Sequence, residues 1–425
     1  MLLFIVISFL VLILLGMPIA FALGISGIAT ILLAGDLPLM LVPHRMVTQL
    51  DTYSLLAVPY FVLAGYLMER GGISERLFDF ANSLTRHWRG GLAQAAMGAS
   101  IVMSGLSGSG VADISAVGGV AVPGMNKKGY SRQFTAAVLA AGGFLGPIIP
   151  PSILMIIYGS ITGISIGALF IAGIIPGLLY GIAFMVLIWW RAGRFGYHGE
   201  TPATLGEIGR SFVSAFWSLF APILLIGGIV VGIFTPTEAG AIATVYALIV
   251  GMFIYRNLKW RDIPEVLVQT GLMTGVILII IATAAVFGWL LERMQFPAAL
   301  ATFLTGVTDQ PAVVMLLIIA ILLAIGCVVE VLAAAIVLVP VLDPLAVQYQ
   351  FDPLHFAFVI VLALNVGSIT PPVGVYLFLA NNLAGAKLND TIREVFPYII
   401  VMVIGVLLCA FVPELSLWLP RLFNV

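Results

Sequence analysis

The sequence predicts an all-α polytopic membrane protein of two inverted-topology repeats, each holding a re-entrant hairpin and a broken transmembrane helix. Three observations carry that prediction. The first is composition: of 425 residues, 62% are apolar and 9% charged, where a soluble domain carries roughly a quarter charged residues. Runs such as Leu2 to Ile31, Ile174 to Trp190 and Val313 to Leu342 approach or exceed the ~20 residues that cross a bilayer. The second is a stretch written twice, Gly146-Pro147-Ile148-Ile149-Pro150-Pro151 and Gly367-Ser368-Ile369-Thr370-Pro371-Pro372. The third is the distribution of Lys and Arg, which differs between corresponding loops of the two halves.

The duplication extends beyond its most visible stretch. The offset of 221 residues from Gly146 to Gly367 also pairs Gly105 with Gly326, Pro123 with Pro344 and Pro176 with Pro397. Upstream the offset drifts, so that Gly65…Glu69-Arg70 matches Gly288…Glu292-Arg293. Such self-similarity marks a repeated structural unit. Within each unit the double proline breaks a helix, because proline lacks the N–H donor and pushes the preceding residue out of the α region. Backbone groups freed inside a bilayer survive only when buried in protein or lining a cavity. Paired breaks in corresponding halves point to a secondary transporter's binding site.

Basic residues mark the cytoplasmic side. The segment Glu69 to Gly90 holds Arg70, Arg76, Arg86 and Arg89, and its counterpart Glu292 to Gln310 holds Arg293. Asn126 to Arg132 holds Lys127, Lys128 and Arg132, and its counterpart Asp343 to Asp352 holds two acids and no base. Tyr255 to Asp262 holds Arg256, Lys259 and Arg261, whereas the first-half loop around His44 and Arg45 is poor. All three comparisons predict opposite topology for the halves and an N-terminus on the periplasmic face.

Taken in order, repeat one spans 1–210. It opens with scaffold helices over 1–68, the run from Leu2 being a first helix and not a signal peptide, since it lacks a basic leader and a cleavage site. A cytoplasmic arm over 69–90 follows, where charges mixed with Leu77, Phe78, Phe80 and Trp88 suit an amphipathic surface helix. An inner hairpin over 92–125 begins and ends beside basic segments, with its tip in Ser104 to Gly110. The broken helix over 134–161 and a span ending at Trp190 complete the unit, and a polar link, Arg191 to Arg210, joins the halves. Repeat two, 211–425, replays this upside down. It has scaffold helices over 211–291 with an interfacial stretch from Lys259 to Gln269, an outer arm over 292–310 and an outer hairpin over 311–342. A broken helix over 355–385 and a final span ending near Trp418 close it.

The chemistry concentrates at tips and breaks. Ser107, Gly108 and Ser109 offer hydroxyls and bare carbonyls, the oxygens with which unwound helix ends hold Na⁺ in transporters. A small-residue packing face is the competing reading, and the neighbouring repeat-related break favours the ion site. Glu330 stands where Ser109 stands in repeat one, and is the lone charge between Pro311 and Asp343. An intramembrane acid of this kind is a functional candidate. Asp113 and Glu238 read instead as acids at helix starts. The candidate Na⁺ positions are therefore Ser107, Gly108, Ser109, Gly146, Pro150, Gly326, Glu330, Asn365, Gly367 and Thr370. The candidate substrate contacts are Ser109, Ser152, Arg293, Glu330 and Pro371. No Lys or Arg falls mid-span, which leaves an anion to helix N-termini, hydroxyls and bound cations, with Arg293 the nearest guanidinium. The plainer reading of Arg293, a snorkelling anchor at a helix end, is the preferred one.

The sequence also excludes. It contains no Gly-x4-Gly-Lys-Ser/Thr phosphate loop, no His-Glu-x-x-His and no hydrophilic stretch long enough for a soluble catalytic domain. Cys327 and Cys409 lie in apolar runs and read as neither a disulfide nor metal ligands. Transport would have to be driven by a gradient.

At Ser107 to Val122, Gly146 to Ile157, Phe234-Thr235-Pro236-Thr237-Glu238-Ala239 and Gly367 to Phe378, the chain resembles the large membrane subunit of the tripartite ATP-independent periplasmic (TRAP) transporters. The similarity covers essentially the whole chain. Glu330 stands where that family more often has Asp. The resemblance implies an elevator-type member of the ion-transporter superfamily in the bacterial inner membrane, coupled to two or more Na⁺ ions. It implies import of an organic acid such as sialic acid or a C4-dicarboxylate. It also implies two partners, a small four-helix membrane subunit, here expected as a separate chain, and a soluble periplasmic substrate-binding protein; no nucleic acid is expected. The alternative is an intramembrane serine protease using Ser107 in Gly105-Leu106-Ser107-Gly108. That chemistry needs a histidine base within hydrogen-bonding reach, and His44, His87, His198 and His355 all fall near membrane edges.

Overall fold

The structure is a computed structural model describing residues 1–308 and 310–423, apart from the side chains of 301, 303–305 and 307. Position 309, within the expected outer arm, and positions 424–425 lie outside the described residues. The described residues form helices joined by short turns.

The first half comprises α1 (Leu2–Leu14), α2 (Ile19–Ala34), α3 (Leu41–Leu50), α4 (Ala57–Arg70), α5 (Ile73–Thr85), α6 (Gly91–Ser107), α7 (Gly110–Lys127), α8 (Arg132–Phe144), α9 (Ile153–Thr162) and α10 (Ile166–Arg194). The second comprises α11 (Leu205–Val230), α12 (Pro236–Ile249), α13 (Ile263–Arg293), α14 (Phe296–Val307), α15 (Pro311–Gly326), α16 (Val331–Gln348), α17 (Pro353–Gly367), α18 (Val375–Ala384), α19 (Leu388–Phe411) and α20 (Glu414–Leu422). Among the described residues, six helices are long and apolar enough to cross a membrane, or up to seven if α3 and α4, bent by 64°, form one broken span.

The repeat is visible element for element. Hairpin α6–α7, broken helix α8–α9 and span α10 recur as hairpin α15–α16, broken helix α17–α18 and span α19. These elements interlock across the halves. The α18 helix packs on α7 and α8, α9 packs on α16, and α19 packs on α8, α10 and α17. Helices α2, α3, α4, α12 and α13 form a second group, with α4 against α12 and α13, and α13 against α2 and α3. The amphipathic α5 lies between the groups, burying Ile73, Leu77, Phe78 and Ala81 against α6 and α7 on one side and α11 on the other.

Five boundaries differ from the sequence expectation. The polar link is shorter than Arg191 to Arg210, since α10 runs on to Arg194 and α11 begins at Leu205 under a Thr204–Glu207 capping box. The run from Leu2 is interrupted after Leu14, where Gly16 takes φ +83° and Pro18 precedes the first turn of α2. Lys259 to Gln269 is not a separate interfacial stretch. A single turn over Trp260–Asp262 leads into α13, whose early proline occupies the position where a missing N–H costs nothing. The outer hairpin continues to Gln348 through Pro340 and Pro344, because neighbouring helices bury the interrupted backbone. The last span ends at Phe411, and Trp418 belongs to the separate α20, which packs on α10.

Candidate functional site

The first tip is two residues long. Helix α6 ends at Ser107, and Gly108 adopts φ +61°, which L side chains rarely tolerate. A Cβ on Gly108 would also meet the Pro151 carbonyl oxygen at 2.5 Å and the Ile153 nitrogen at 3.2 Å. The close approach permits a bond: the Ile153 N–H donates to the Gly108 carbonyl over 3.3 Å, so the break is tied to the tip. Ser109 caps α7, accepting from the Ala112 N–H at 3.5 Å.

Asp113, read from sequence as a helix-start acid, does more than that. Ser109 does the capping, and the fully buried Asp113 carboxylate accepts hydrogen bonds from Ser107 at 2.5 Å and Ser104 at 2.7 Å. A Cβ on Gly146 would stand 2.9 Å from Asp113 Oδ2. Hairpin tip, acid and break thus converge on one buried, oxygen-rich point. Pro150 turns its carbonyl toward Gly105, one turn before the tip.

The second tip repeats this arrangement with different side chains. Glu330 caps α16, accepting from the Ala333 N–H at 3.0 Å, the role Ser109 plays in repeat one. The Val373 N–H in the break donates to the Cys327 carbonyl in the tip at 3.1 Å. Gly326 and Gly367 bring the two backbones together, for a Cβ on Gly326 would meet the Leu364 oxygen at 2.8 Å and Gly367 Cα at 3.1 Å. The Thr370 hydroxyl donates to the Val366 carbonyl at 2.7 Å, and Pro371 lies half-buried in the break.

Two residues join the repeats. Asn365 donates from Nδ2 to the Phe144 carbonyl at 2.7 Å, and the two positions are 221 residues apart. Repeat-related positions that touch must lie at the pseudo-twofold relation between the halves. The Asn365 side chain is fully buried, and its Oδ1 has no hydrogen-bond partner among the described residues. Tyr376 of α18 reaches across to Gly110, where an added Cβ would meet its ring. Its backbone N–H donates to the Ser368 carbonyl at 2.9 Å, tying α18 to the end of α17.

A cavity of about 720 Å³ opens beside the first tip. Ser107, Ser109 and Ser115 face Tyr66, Glu69 and Arg70 of α4 across it, with Gln269 and Met273 of α13 completing the wall. Arg70 is ion-paired with Glu265. Sequence reasoning placed Arg70 in a surface arm and missed Tyr66 and Gln269. The repeat carried a usable signal, since Glu69-Arg70 matches Glu292-Arg293. Arg293 does not line this cavity; it pairs with Asp36 at 3.2 Å and stands 5.9 Å from the Trp289 ring. Ser152 is also occupied locally, capping α9 through Met155 and donating to the Pro147 carbonyl at 2.7 Å. Ser107 bonds to Asp113 and to Ser109, not to a histidine, and His355 pairs instead with Ser416 at 2.8 Å.

Comparisons with known proteins agree with this architecture. The family model described as "Tripartite ATP-independent periplasmic transporter, DctM component" matches residues 6–415. The 2,3-diketo-L-gulonate TRAP transporter large permease protein YiaN of Escherichia coli is 38% identical over 94% of both chains. The sialic acid TRAP transporter large permease protein SiaM of Vibrio cholerae is 38% identical over 96% of both chains. The C4-dicarboxylate large permease protein DctM of Pseudomonas aeruginosa is 38% identical over 94% of both. In the isethionate permease DctMQ of Oleidesulfovibrio alaskensis, at 36% identity, the match spans 64% of a longer chain. Among solved structures, the Alcanivorax borkumensis YdaH transporter shares the fold with a TM-score of 0.60 at 16% identity, over 88% of this chain and 87% of that one. The relatives are named as transporter permeases, which leaves the serine-protease alternative without support. A chain with this repeat, these paired breaks and this full-length match belongs to the DctM component family of tripartite ATP-independent periplasmic transporters, as a large permease subunit.

Proposed function

We propose that this subunit imports an organic acid, sialic acid or a C4-dicarboxylate, by Na⁺-coupled elevator exchange across the bacterial inner membrane. In this reading the acid is delivered by a periplasmic binding protein, and a separate small four-helix membrane subunit braces the scaffold. The observation that carries it is that each break donates a backbone hydrogen bond to its own hairpin tip, while the first tip meets α4 around Gly65 and Ser107 and a cavity opens beside that contact, toward α13. Hairpins and broken helices then move as one body past α1–α4 and α11–α13, with α5 and the α14 region as connecting arms. Sodium suits the oxygen-rich tips: serine hydroxyls and Asp113 in repeat one, and in repeat two Glu330, Thr370 and Asn365 Oδ1, which has no hydrogen-bond partner among the described residues.

Uptake into proteoliposomes holding this chain and its small partner, with the binding protein added, tests the reading with and without a Na⁺ gradient. Removing a charge-assisted oxygen ligand costs about 1.5–3 kcal/mol. Ser107→Ala and Thr370→Ala should therefore each raise the Na⁺ concentration for half-maximal uptake about ten- to a hundredfold, with assembly retained. Unchanged Na⁺ dependence in both variants counts against these sites.

The topology has its own test. Single cysteines at Lys128 and Gln348, ending the two hairpins, should react with an impermeant thiol reagent from opposite faces, Lys128 from the cytoplasm. Reaction of both from one face rules out inverted repeats.

A further inference from the structure

At the other end of α13 a second cleft of about 190 Å³ opens between α3 and α13 on one side and α9 and α16 on the other, beside the contact of Gly288 with Pro340. Arg45, Thr48 and Gln49 of α3 line it with Trp289 and Glu292 of α13. Spaced i, i+3 and i+4, the three α3 side chains share one helix face and bring a guanidinium, a hydroxyl and an amide together. The Arg45 guanidinium stands 4.9 Å from the centre of the Trp289 ring and has no carboxylate partner among the described residues. Arg293, on the same ring, is already paired with Asp36.

The two cavities are chemically matched. The larger offers Arg70, Glu69, Gln269 and Tyr66, and the smaller offers Arg45, Glu292, Gln49 and Trp289. Each thus presents one guanidinium, one carboxylate, one glutamine amide and one aromatic ring. Glu69 and Glu292 are themselves repeat-related. Helix α13 serves both, through Gln269 to Val276 in the first and Ile281 to Glu292 in the second. At 1.5 Å per residue the centres of those two stretches lie about 21 Å apart along the axis.

From this match we infer that the Arg45 cleft is a second substrate subsite, on the opposite face from the main cavity, for a hydroxylated monocarboxylic acid. The inference rests on the transport reading above. Arg70 is already paired with Glu265, so the carboxylate-free guanidinium is that of Arg45, which suits one carboxylate. Thr48 and Gln49 can bond to hydroxyls, and Glu292 accepts from a hydroxyl but repels a second carboxylate. A dicarboxylate lacking hydroxyls meets one cation, Arg45, and one like charge, Glu292, in this cleft.

The test uses the assembled transporter with sialic acid, 2,3-diketo-L-gulonate and succinate as probes. Arg45→Gln should raise the KM of a transported hydroxylated acid about tenfold with Vmax within about twofold, and Arg45→Lys should raise it about threefold, keeping the charge but not the bidentate fork. In a background with Cys327→Ala and Cys409→Ala, the hydroxylated acids should slow thiol labelling of Thr48→Cys and succinate should not. A KM equal to wild type in Arg45→Gln, or a Vmax loss at constant KM, overturns the subsite while leaving transport intact. Protection by succinate equal to that by the hydroxylated acids overturns the substrate class. If the unmodified transporter moves none of the three, the transport reading fails by itself, and protection of Thr48→Cys still judges the cleft: none by any acid overturns it.

Discussion

Gly367→Ala lowers uptake by ten- to a hundredfold while the protein still assembles. A Cβ on Gly367 would run into the carbonyl carbon, oxygen and Cα of Gly326. Backbone faces backbone there, so no flexible side chain can yield. Overpacking against well-packed groups costs about 1–3 kcal/mol, and relief requires the second tip to part from its break. That parting breaks the hydrogen bond from the Val373 N–H to the Cys327 carbonyl and carries Glu330 away from the break. Gly271→Ala is the control, since nothing lies within 4 Å of an added Cβ on that residue. Uptake by Gly367→Ala within twofold of wild type would show that this contact does not hold the site together.

A covalent tie across the main cavity stops uptake, and a tie within the interlocked group does not. Val111 of α7 and Met273 of α13 both line the cavity, so a reducible crosslinker between cysteines at these positions joins the first hairpin to the scaffold. Gly118 of α7 and Leu383 of α18 meet within the other group, where Leu383 Cδ1 lies 3.1 Å from a Cβ placed on Gly118. Bridging Val111 to Met273 should remove more than about nine-tenths of uptake, because each cycle then requires a rigid-body step that the tie forbids; reduction should restore it. Bridging Gly118 to Leu383 should leave most uptake in place. Full uptake with a verified Val111–Met273 crosslink is incompatible with an elevator.

Much of the site could be read from sequence because its cause is local. A glycine at φ +61° or a double proline interrupts a helix wherever it falls, so the tip at Gly108 and the breaks after Gly146 and Gly367 needed no knowledge of neighbours. The 221-residue offset supplied the pairing of Ser109 with Glu330, and both cap the second helix of their hairpins. The composition alone required helices that bury their own backbone bonds in lipid.

Tertiary structure decided whatever depends on which helix faces meet. Sequence put Arg293 and not Arg70 among the candidate substrate contacts, although both follow a glutamate at the end of an apolar helix. Packing puts Arg70 on the cavity between α4 and the first tip, and brings Arg293 beside Asp36. Asp113 looked like an ordinary first-turn acid until the fold set Ser104 and Ser107 on its two oxygens. Asn365 gained its meaning from a contact with Phe144 in the other repeat, which no pattern within either segment encodes. Helix breaks are written in the chain's own dihedral preferences, whereas the partners of a charge are chosen by the packing of distant segments.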